Sequence, residues 1–127
     1  MPLRRLLLFL AFALGFAAAH AAEKQPFTKE AFAAAQAAGE SIVVHIHAPW
    51  CPTCRAQEPI LDKLTAEPKF GAAKYFSVDF DSQRDAVRGF KATSQSAIIV
   101  FKGGKETGRS VGETDASRIG ALLDKAL

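Results

Sequence analysis

Apolar and polar positions alternate along this chain in blocks that predict buried strands separated by helices. Residues 42–47 are dense in β-branched side chains and predict a buried strand. Residues 75–80 predict a second strand, and the continuous apolar run at 97–101 predicts a third. The glycine pair at 103–104 predicts a tight turn into a partner strand that ends near Val111.

Helical patterns fill the segments between and after these strands. Thr28 is placed to cap the first helix, and Gly39 to end it. Pro59 lies inside the second helix, which it should kink. The predicted helices cover residues 29–38, 55–66, 83–90 and 114–127. The resulting order, α-β-α-β-α-β-β-α, predicts an α/β fold with a mixed central sheet, helices on both faces, and a C-terminal β-hairpin followed by a helix.

The first residues have the pattern of a secretory signal peptide. Arg4 and Arg5 form a positive region, residues 6–19 form an apolar run, and Ala19 and Ala21 place small residues before a cleavage site. The alternative is an uncleaved membrane anchor, but this run is shorter than the roughly 20 apolar residues that a spanning helix needs. We therefore expect residues 1–21 to be removed, and the protein to be periplasmic or secreted without stable membrane insertion.

Cleavage after Ala21 leaves residues 22–127, which are enough for one compact domain. The leader carries two of the basic residues, so the net charge falls from +3 to +1 when it is removed. No basic stripe remains that would indicate a nucleic-acid partner. We expect a monomer.

Candidate chemistry lies in the two cysteines of the chain, Cys51 and Cys54. A C-x-x-C motif between a strand and a helix is typical of a redox dithiol. This spacing lets the first sulfur lie at the opening of the helix and the second one turn inside. A disulfide across so short a loop removes little entropy from the unfolded chain, so reactivity explains the pair better than stability does.

Several motifs, together with this pair, resemble the thioredoxin fold family over about residues 27–127. The motifs are Ala48-Pro49-Trp50-Cys51-Pro52-Thr53-Cys54, Pro59, Val78-Asp79-Phe80-Asp81, Ile98-Ile99-Val100-Phe101-Lys102-Gly103-Gly104, and Gly112. The usual first edge strand of the family is absent or reduced. The resemblance implies an enzyme, a thiol–disulfide oxidoreductase, that needs no dissociable cofactor beyond its redox-active Cys51–Cys54 disulfide. Its implied partners are protein thiols or disulfides as substrates, and an upstream redox partner.

The helix opening favours Cys51 as the attacking thiol, because unpaired N–H groups and the helix dipole stabilise a thiolate there. Cys54 is then the more buried, resolving thiol. Trp50 and the Gln95–Ser96 segment are expected to form an apolar lip with free backbone groups for a substrate chain, although Trp50 alone is also consistent with a core aromatic residue. Pro52 and Thr53, between the cysteines, complete the group that binds substrate or tunes the motif. Pro52 and Thr53 do not determine the direction of electron flow. Of the two directions, we slightly favour reduction of substrates.

Three positions depart from the family pattern. Ser96 stands where the family has a cis-proline, so we expect a trans peptide bond, or a strained one, before it. His45 replaces a buried acid, and His47 replaces an aromatic residue two positions later. Both histidines face the same side of their strand, and the resemblance implies that this side lies under the active-site helix. They either fill space as neutral residues or serve the dithiol as proton acceptor or positive partner.

Two other interpretations use the same residues. His45, His47, Cys51 and Cys54 could form a site for Zn or Cu(I), which would make the protein a metal-binding member of this fold. The second interpretation is a binding module of the same fold without catalytic activity, and the intact C-x-x-C argues against it. Our preferred site contains no metal. Asp79 and Asp81 are expected to be solvated, or to cap the helix that follows them, and stay outside the site.

Overall fold

A computed structural model of the chain describes residue 15 and residues 21–127, so nearly all of the predicted leader lies outside the described residues. Within the described part, no helix is long and apolar enough to cross a membrane. In chain order the elements are β1 (Glu23–Pro26), α1 (Lys29–Ala37), β2 (Ser41–His47), α2 (Pro52–Thr65), a 3₁₀ turn (Pro68–Phe70), β3 (Lys74–Asp79), α3 (Arg84–Gly89), β4 (Ala97–Lys102), β5 (Lys105–Val111) and α4 (Ala116–Asp124).

The five strands form one mixed sheet in the order β1-β3-β2-β4-β5. Strands β1 and β2 pair parallel with β3. Strands β2 and β4, and then β4 and β5, pair antiparallel. The predicted mixed sheet and the hairpin followed by a helix are therefore confirmed.

The first edge strand is reduced rather than absent. Its four residues, Glu23–Pro26, lie beside Lys74–Ser77 of β3. It was missed among the predicted elements because three of its four residues are exposed and its sequence has no apolar alternation. Just before it, the amide of Ala22 donates to the carbonyl of Thr65, 2.8 Å away, at the end of α2.

Strand β2 is the centre of the molecule, with five successive residues, 42–46, buried. Alternate side chains reach opposite layers of the fold. Ile42, Val44 and Ile46 pack in the core that includes residues of α1 and α3. Val43 packs with Leu61 of α2, Ile119 of α4 and other residues of the second core. His45 and His47 lie on the same side as Val43, as predicted.

A cluster of phenylalanines packs α1 and α3 onto the sheet. Ring centroids within this cluster lie 5.2–6.2 Å apart, mostly in edge-to-face or tilted arrangements. Its members are Phe27, Phe32, Phe76, Phe90 and Phe101. The face opposite to α2 is thus stabilised by aromatic packing and contains none of the residues that are candidates for redox chemistry.

The two outer strands carry mostly polar and charged side chains. On β1 the exposed residues include Glu23 and Lys24, and the strand ends at Pro26. On β5 they include Lys105 and Glu106. The pairing of β4 with β5 is shifted by one residue between Val100 and Phe101, which interrupts the regular ladder near this edge.

The helix ends follow the capping chemistry that the sequence indicates. The Thr28 hydroxyl accepts a hydrogen bond from the amide of Ala31 at 3.1 Å, which confirms the predicted cap of α1. Helix α4 begins at Ala116, two residues later than predicted, because the side chain of Asp115 caps it by accepting from the amide of Arg118. Pro59 lies within α2 and supplies no N–H for the carbonyl one turn earlier.

The aromatic cluster gives the first prediction. Phe76 is fully buried, and its ring lies 5.7 Å from that of Phe32. Replacement Phe76→Ala should lower the free energy of unfolding by about 3–5 kcal/mol through lost burial and the cavity left behind. Urea unfolding followed by circular dichroism measures this loss. Val111→Ala, at an apolar side chain that is 62% exposed, is the control and should change it by less than about 0.5 kcal/mol. A loss below about 1 kcal/mol for Phe76→Ala would contradict the packing described.

Candidate active site

Cys51 and Cys54 form a disulfide at the start of α2, with their Cα atoms 5.3 Å apart. Cys51 is the N-cap residue, in an extended backbone conformation, and its Sγ accepts a hydrogen bond from the amide of Cys54 at 3.1 Å. Pro52 follows as the first helical residue, where a missing N–H costs nothing. Pro52 is exposed and Thr53 half-buried. The motif thus places one sulfur at the end of the helix and the other one turn inside.

Both cysteines are buried in this oxidised form, at 2% and 1% exposure. They pack with Ala48, and the half-buried Phe80 lies against them. The expectation that Cys54 is distinctly more buried than Cys51 does not describe the disulfide state, because the two residues are almost equally covered. What distinguishes them is their position on the helix.

Trp50 is a surface residue, so the interpretation of it as a core aromatic is wrong. It is 56% exposed, and its indole Nε1–H donates to Oδ2 of Asp81 at 2.7 Å. Asp81 therefore contacts the residue next to the motif, although sequence reasoning had left it outside the site. The signal available was only its place after β3, at the edge where β2 also ends.

Asp79 shapes the turn that presents Asp81. Its Oδ1 accepts hydrogen bonds from the amides of Asp81 and Ser82, both at 2.9 Å. These bonds, chiefly that from Ser82, hold the pKa of Asp79 below its usual value. The carboxylate thus stabilises the turn before α3 and does not cap the helix itself.

Ser96 has a trans peptide bond, as predicted, since the described residues contain no cis bond. Its φ of +62° is in the left-handed region, which a residue other than glycine seldom adopts. Its amide donates to the carbonyl of Ile46 at 2.7 Å, and its carbonyl accepts from the amide of Gly112 at 3.0 Å. The expectation of free backbone groups at Ser96 is therefore wrong. Among the described residues, no hydrogen bond involves the backbone of Gln95, which is half-buried.

His45 is buried at 1% exposure and is paired with the buried side chain of Gln57. Its Nε2 lies 2.9 Å from Gln57 Oε1. Burial lowers the pKa of His45 to about 4, although the hydrogen bond with Gln57 acts in the opposite direction. His45 is therefore neutral near pH 7, and is not the positive partner of the dithiol that one hypothesis assigned to it.

Gln57 was missed in the sequence and holds the interior of the site together. Its amide Nε2 donates to the carbonyl of Ser96 at 3.1 Å and to that of Glu113 at 2.9 Å. The available signal was the helical spacing, because Cys54, Gln57 and Leu61 share one face of α2, where a glutamine interrupts an otherwise mostly apolar stripe.

His47 lies beside His45, with ring centroids 5.9 Å apart and nearly parallel planes. Its side chain is 23% exposed, and its Nδ1 lies 3.9 Å from Oε1 of Glu58. The two histidines thus differ in environment, one enclosed and one at the margin of the protein, although both face α2.

The metal-site alternative is not supported by this arrangement. Within the described part of the chain, no group of three or more His, Cys, Asp or Glu side chains is placed to hold a metal ion. His45 directs Nε2 to Gln57, and the two sulfurs are bonded to each other. The four residues of the proposed metal set therefore have other partners in this structure.

Comparison with known proteins agrees with the geometry. Residues 23–125 match the family model described as Thioredoxin. Thioredoxin of Chlamydia trachomatis serovar D is 33% identical over 101 residues, which cover 80% of this chain and 96% of the relative.

Solved structures show the same fold. The structure of Trxlp from Edwardsiella tarda EIB202 superposes with a TM-score of 0.78 at 38% identity, covering 80% of this chain and 98% of that one. Malassezia sympodialis thioredoxin superposes with a TM-score of 0.74 at 20% identity, covering 84% and 92% of the two chains, and shows the fold alone. With its mixed sheet and its C-x-x-C pair at the start of α2, the chain belongs to the thioredoxin family and is a thiol–disulfide oxidoreductase.

Proposed function

We propose that this protein is an exported reductant of protein disulfides that works through Cys51 and Cys54. The observation that carries the proposal is the position of Cys51 at the N-cap of α2, with its sulfur hydrogen-bonded by the amide of Cys54. Export is supported by the leader pattern of residues 1–21. The Cys-Pro-Thr-Cys sequence is the working motif.

In the reducing direction, the thiolate of Cys51 attacks one sulfur of a substrate disulfide. The substrate S–S bond breaks, one substrate thiolate leaves, and a mixed disulfide with Cys51 forms. Cys54 then loses its proton, and its thiolate attacks Sγ of Cys51. The Cys51–Cys54 disulfide closes and the second substrate thiolate leaves. Two electrons pass to the substrate, whose two thiolates take up two protons, and an upstream redox partner restores the dithiol.

The helix supplies the stabilisation of the attacking thiolate. The N–H groups of the first turn of α2 and the helix dipole favour a negative charge at its N-terminus by about 0.3–1 kcal/mol. The amide of Cys54 already points at Sγ of Cys51 in the oxidised form. Cys54 lies within the helix and lacks this position, so Cys51 is the nucleophile and Cys54 the resolving thiol.

The charge beneath the motif supports reduction of substrates as the direction of electron flow. A positive group there would stabilise the Cys51 thiolate, and with it the reduced form, which makes a disulfide more oxidising. His45 is neutral near pH 7 because burial lowers its pKa. One source of oxidising power is therefore missing, which favours a reductant.

Extended segments of substrate proteins are the proposed ligands. The exposed ring of Trp50 offers an apolar surface directly before Cys51. Gln95 has backbone groups without a hydrogen bond among the described residues. The exposed Val111, which pairs with Ala97 at the start of β4, adds apolar surface at the same end of the sheet.

Replacement of the resolving cysteine tests the roles and the compartment together. In Cys54→Ser, the mixed disulfide between Cys51 and substrate should persist, because no second thiol can release it. The full chain should be expressed with its leader, and the trapped adducts identified by mass spectrometry. We expect exported proteins bound to Cys51, and a mature N-terminus at Ala22. Cys51→Ser is the control and should trap nothing. Adducts of Cys51→Ser through Cys54 would reverse the two roles, and adducts with cytoplasmic proteins only would reject export.

The reduction potential of the Cys51–Cys54 pair tests the direction. We expect a value near about −270 mV, the figure for thioredoxin, when the domain of residues 22–127 is equilibrated with dithiothreitol and its oxidised form. A value near about −120 to −180 mV, as in oxidases and isomerases, would contradict the proposal.

The buried histidine should make stability depend on pH. Its pKa in the folded protein, about 4, lies below the ordinary 6.5, so the unfolded chain binds more protons between these values. The free energy of unfolding should therefore fall as the pH decreases from about 6.5 to about 4, by up to about 1.4 kcal/mol per pH unit from this group. His47, Glu58 and Lys24 are the charged or titratable groups that also act on it.

Urea unfolding at several pH values, compared between wild type and His45→Phe, measures this contribution. The variant is expected to be less stable throughout, since Gln57 Oε1 loses its partner, so the slope with pH is the informative quantity. Equal slopes in the two proteins, or an NMR titration midpoint of His45 near 6.5, would contradict the buried neutral state.

A further inference from the structure

Gln57 joins three segments of the chain that are far apart in sequence. It is fully buried on α2, three residues after Cys54. Its side-chain amide contacts His45 of β2, the carbonyl of Ser96 before β4, and the carbonyl of Glu113 before α4. The helix that carries both cysteines is therefore connected by one side chain to the central strand and to two loops.

The orientation of this amide is determined by its partners. The carbonyls of Ser96 and Glu113 can only accept hydrogen bonds, so the NH₂ group of Gln57 must face them. Oε1 then faces Nε2 of His45, which must carry the proton and donate it. Both donors of the amide are used, and the neutral His45 is fixed in its Nε2–H tautomer.

Ser96 is the part of this network that needs support. A φ of +62° brings Cβ of an L-residue close to the neighbouring carbonyl, so serine adopts it only when its surroundings compensate. Three hydrogen bonds hold the Ser96 backbone: its amide donates to Ile46, and its carbonyl accepts from Gly112 and from Gln57. Of these, only the bond from Gln57 comes from a side chain.

We propose that Gln57 is a positioning residue for protein substrates, because it holds the Ser96 loop in its left-handed conformation at the end of the sheet where Cys51 follows β2. The inference rests on the proposed function, since it concerns the exchange of disulfides with extended protein segments. Gln95, whose backbone makes no hydrogen bond to the described part of the chain, directly precedes Ser96, so the direction in which it presents its N–H and C=O depends on the conformation of Ser96. Small disulfides that reach the sulfurs alone do not need this loop.

The test compares a protein disulfide with a small one. Gln57→Met removes all three hydrogen bonds and keeps the side chain long and flexible. For reduction of insulin, kcat/KM should fall on the order of tenfold, mainly through a higher KM, because the displaced Ser96 loop binds the protein substrate less well. For dithiobisnitrobenzoate, a small disulfide, the rate should change less than about twofold. A purely structural role would lower both rates in parallel, and that result would overturn the proposal, as would an unchanged rate with insulin.

Two further variants separate positioning from general destabilisation. Thr65→Val is the matched control, because Thr65 is buried on the same helix face and its hydroxyl, among the described residues, donates only within α2, chiefly to Leu61 at 2.7 Å. It should leave both rates within about twofold of wild type. Ser96→Gly is the rescue background, because glycine adopts a φ of +62° without steric cost. In the Ser96→Gly background, Gln57→Met should lower kcat/KM for insulin by less than about twofold. A loss on the order of tenfold in that background, as in the single variant, would overturn the proposal.

If Gln57→Met alone does not fold, the double variant Gln57→Met/Ser96→Gly is compared with Ser96→Gly for reduction of insulin and of dithiobisnitrobenzoate. Failure of the proposed function is recognised separately, as the absence of insulin reduction by wild type. In that case the backbone chemical shifts of Ser96 decide the positioning role. The role of Gln57 is supported if Gln57→Met loses the chemical shifts of a left-handed residue 96, or regains them only when Ser96 is also replaced by glycine. Retention of these shifts in Gln57→Met overturns the proposal.

Discussion

The central strand β2 is the constraint on which the rest of the structure depends. It is paired with β3 on one side and with β4 on the other, and five of its seven residues are buried. Because its side chains alternate between two cores, a shift of one residue would place His45 among the phenylalanines and move an apolar residue under α2. The register of this one strand therefore determines which side chains lie beneath the disulfide. Because only three residues separate β2 from Cys51, it also determines the position of Cys51.

Local patterns were sufficient for most of the fold and for the redox pair. The helices around Thr28 and after Cys51, and the hairpin at 103–104, follow from capping, spacing and turn residues that lie close together in the sequence. The contacts that were missed are long-range and polar: Gln57 to Ser96 and Glu113, and Trp50 to Asp81. Hydrophobic periodicity indicates that a residue is buried, but not which distant carbonyl it will meet. Strand β1 was missed for a related reason, since its place is determined by the free edge of β3 and not by its own residues.

The interior of the active site is polar but uncharged. His45 and Gln57 satisfy each other in a setting where an isolated charge would be costly, and the amide completes the bonding of two loop carbonyls. An acid in the place of His45 would bring a proton equilibrium into the core, near the sulfurs. The pair found here replaces that equilibrium with a fixed set of donors and acceptors, so the site depends more on the orientation of groups than on their titration. Of the two histidines on β2, His47, at the margin and beside Glu58, is the one that solvent reaches.

The outer strands of the sheet have a consequence for the behaviour of the protein in concentrated mixtures. An open five-stranded sheet has two edges whose unpaired amides and carbonyls could template the addition of a foreign strand. Here one edge is only four residues long and ends at Pro26, and the other carries Lys105 and Glu106 and adjoins an irregular pairing. An enzyme of a family that acts on protein thiols and disulfides meets other protein chains repeatedly, and each encounter is an opportunity for such strand addition. Short, charged and irregular edges make that addition unfavourable, so they lower the tendency of this protein to aggregate with the chains it meets.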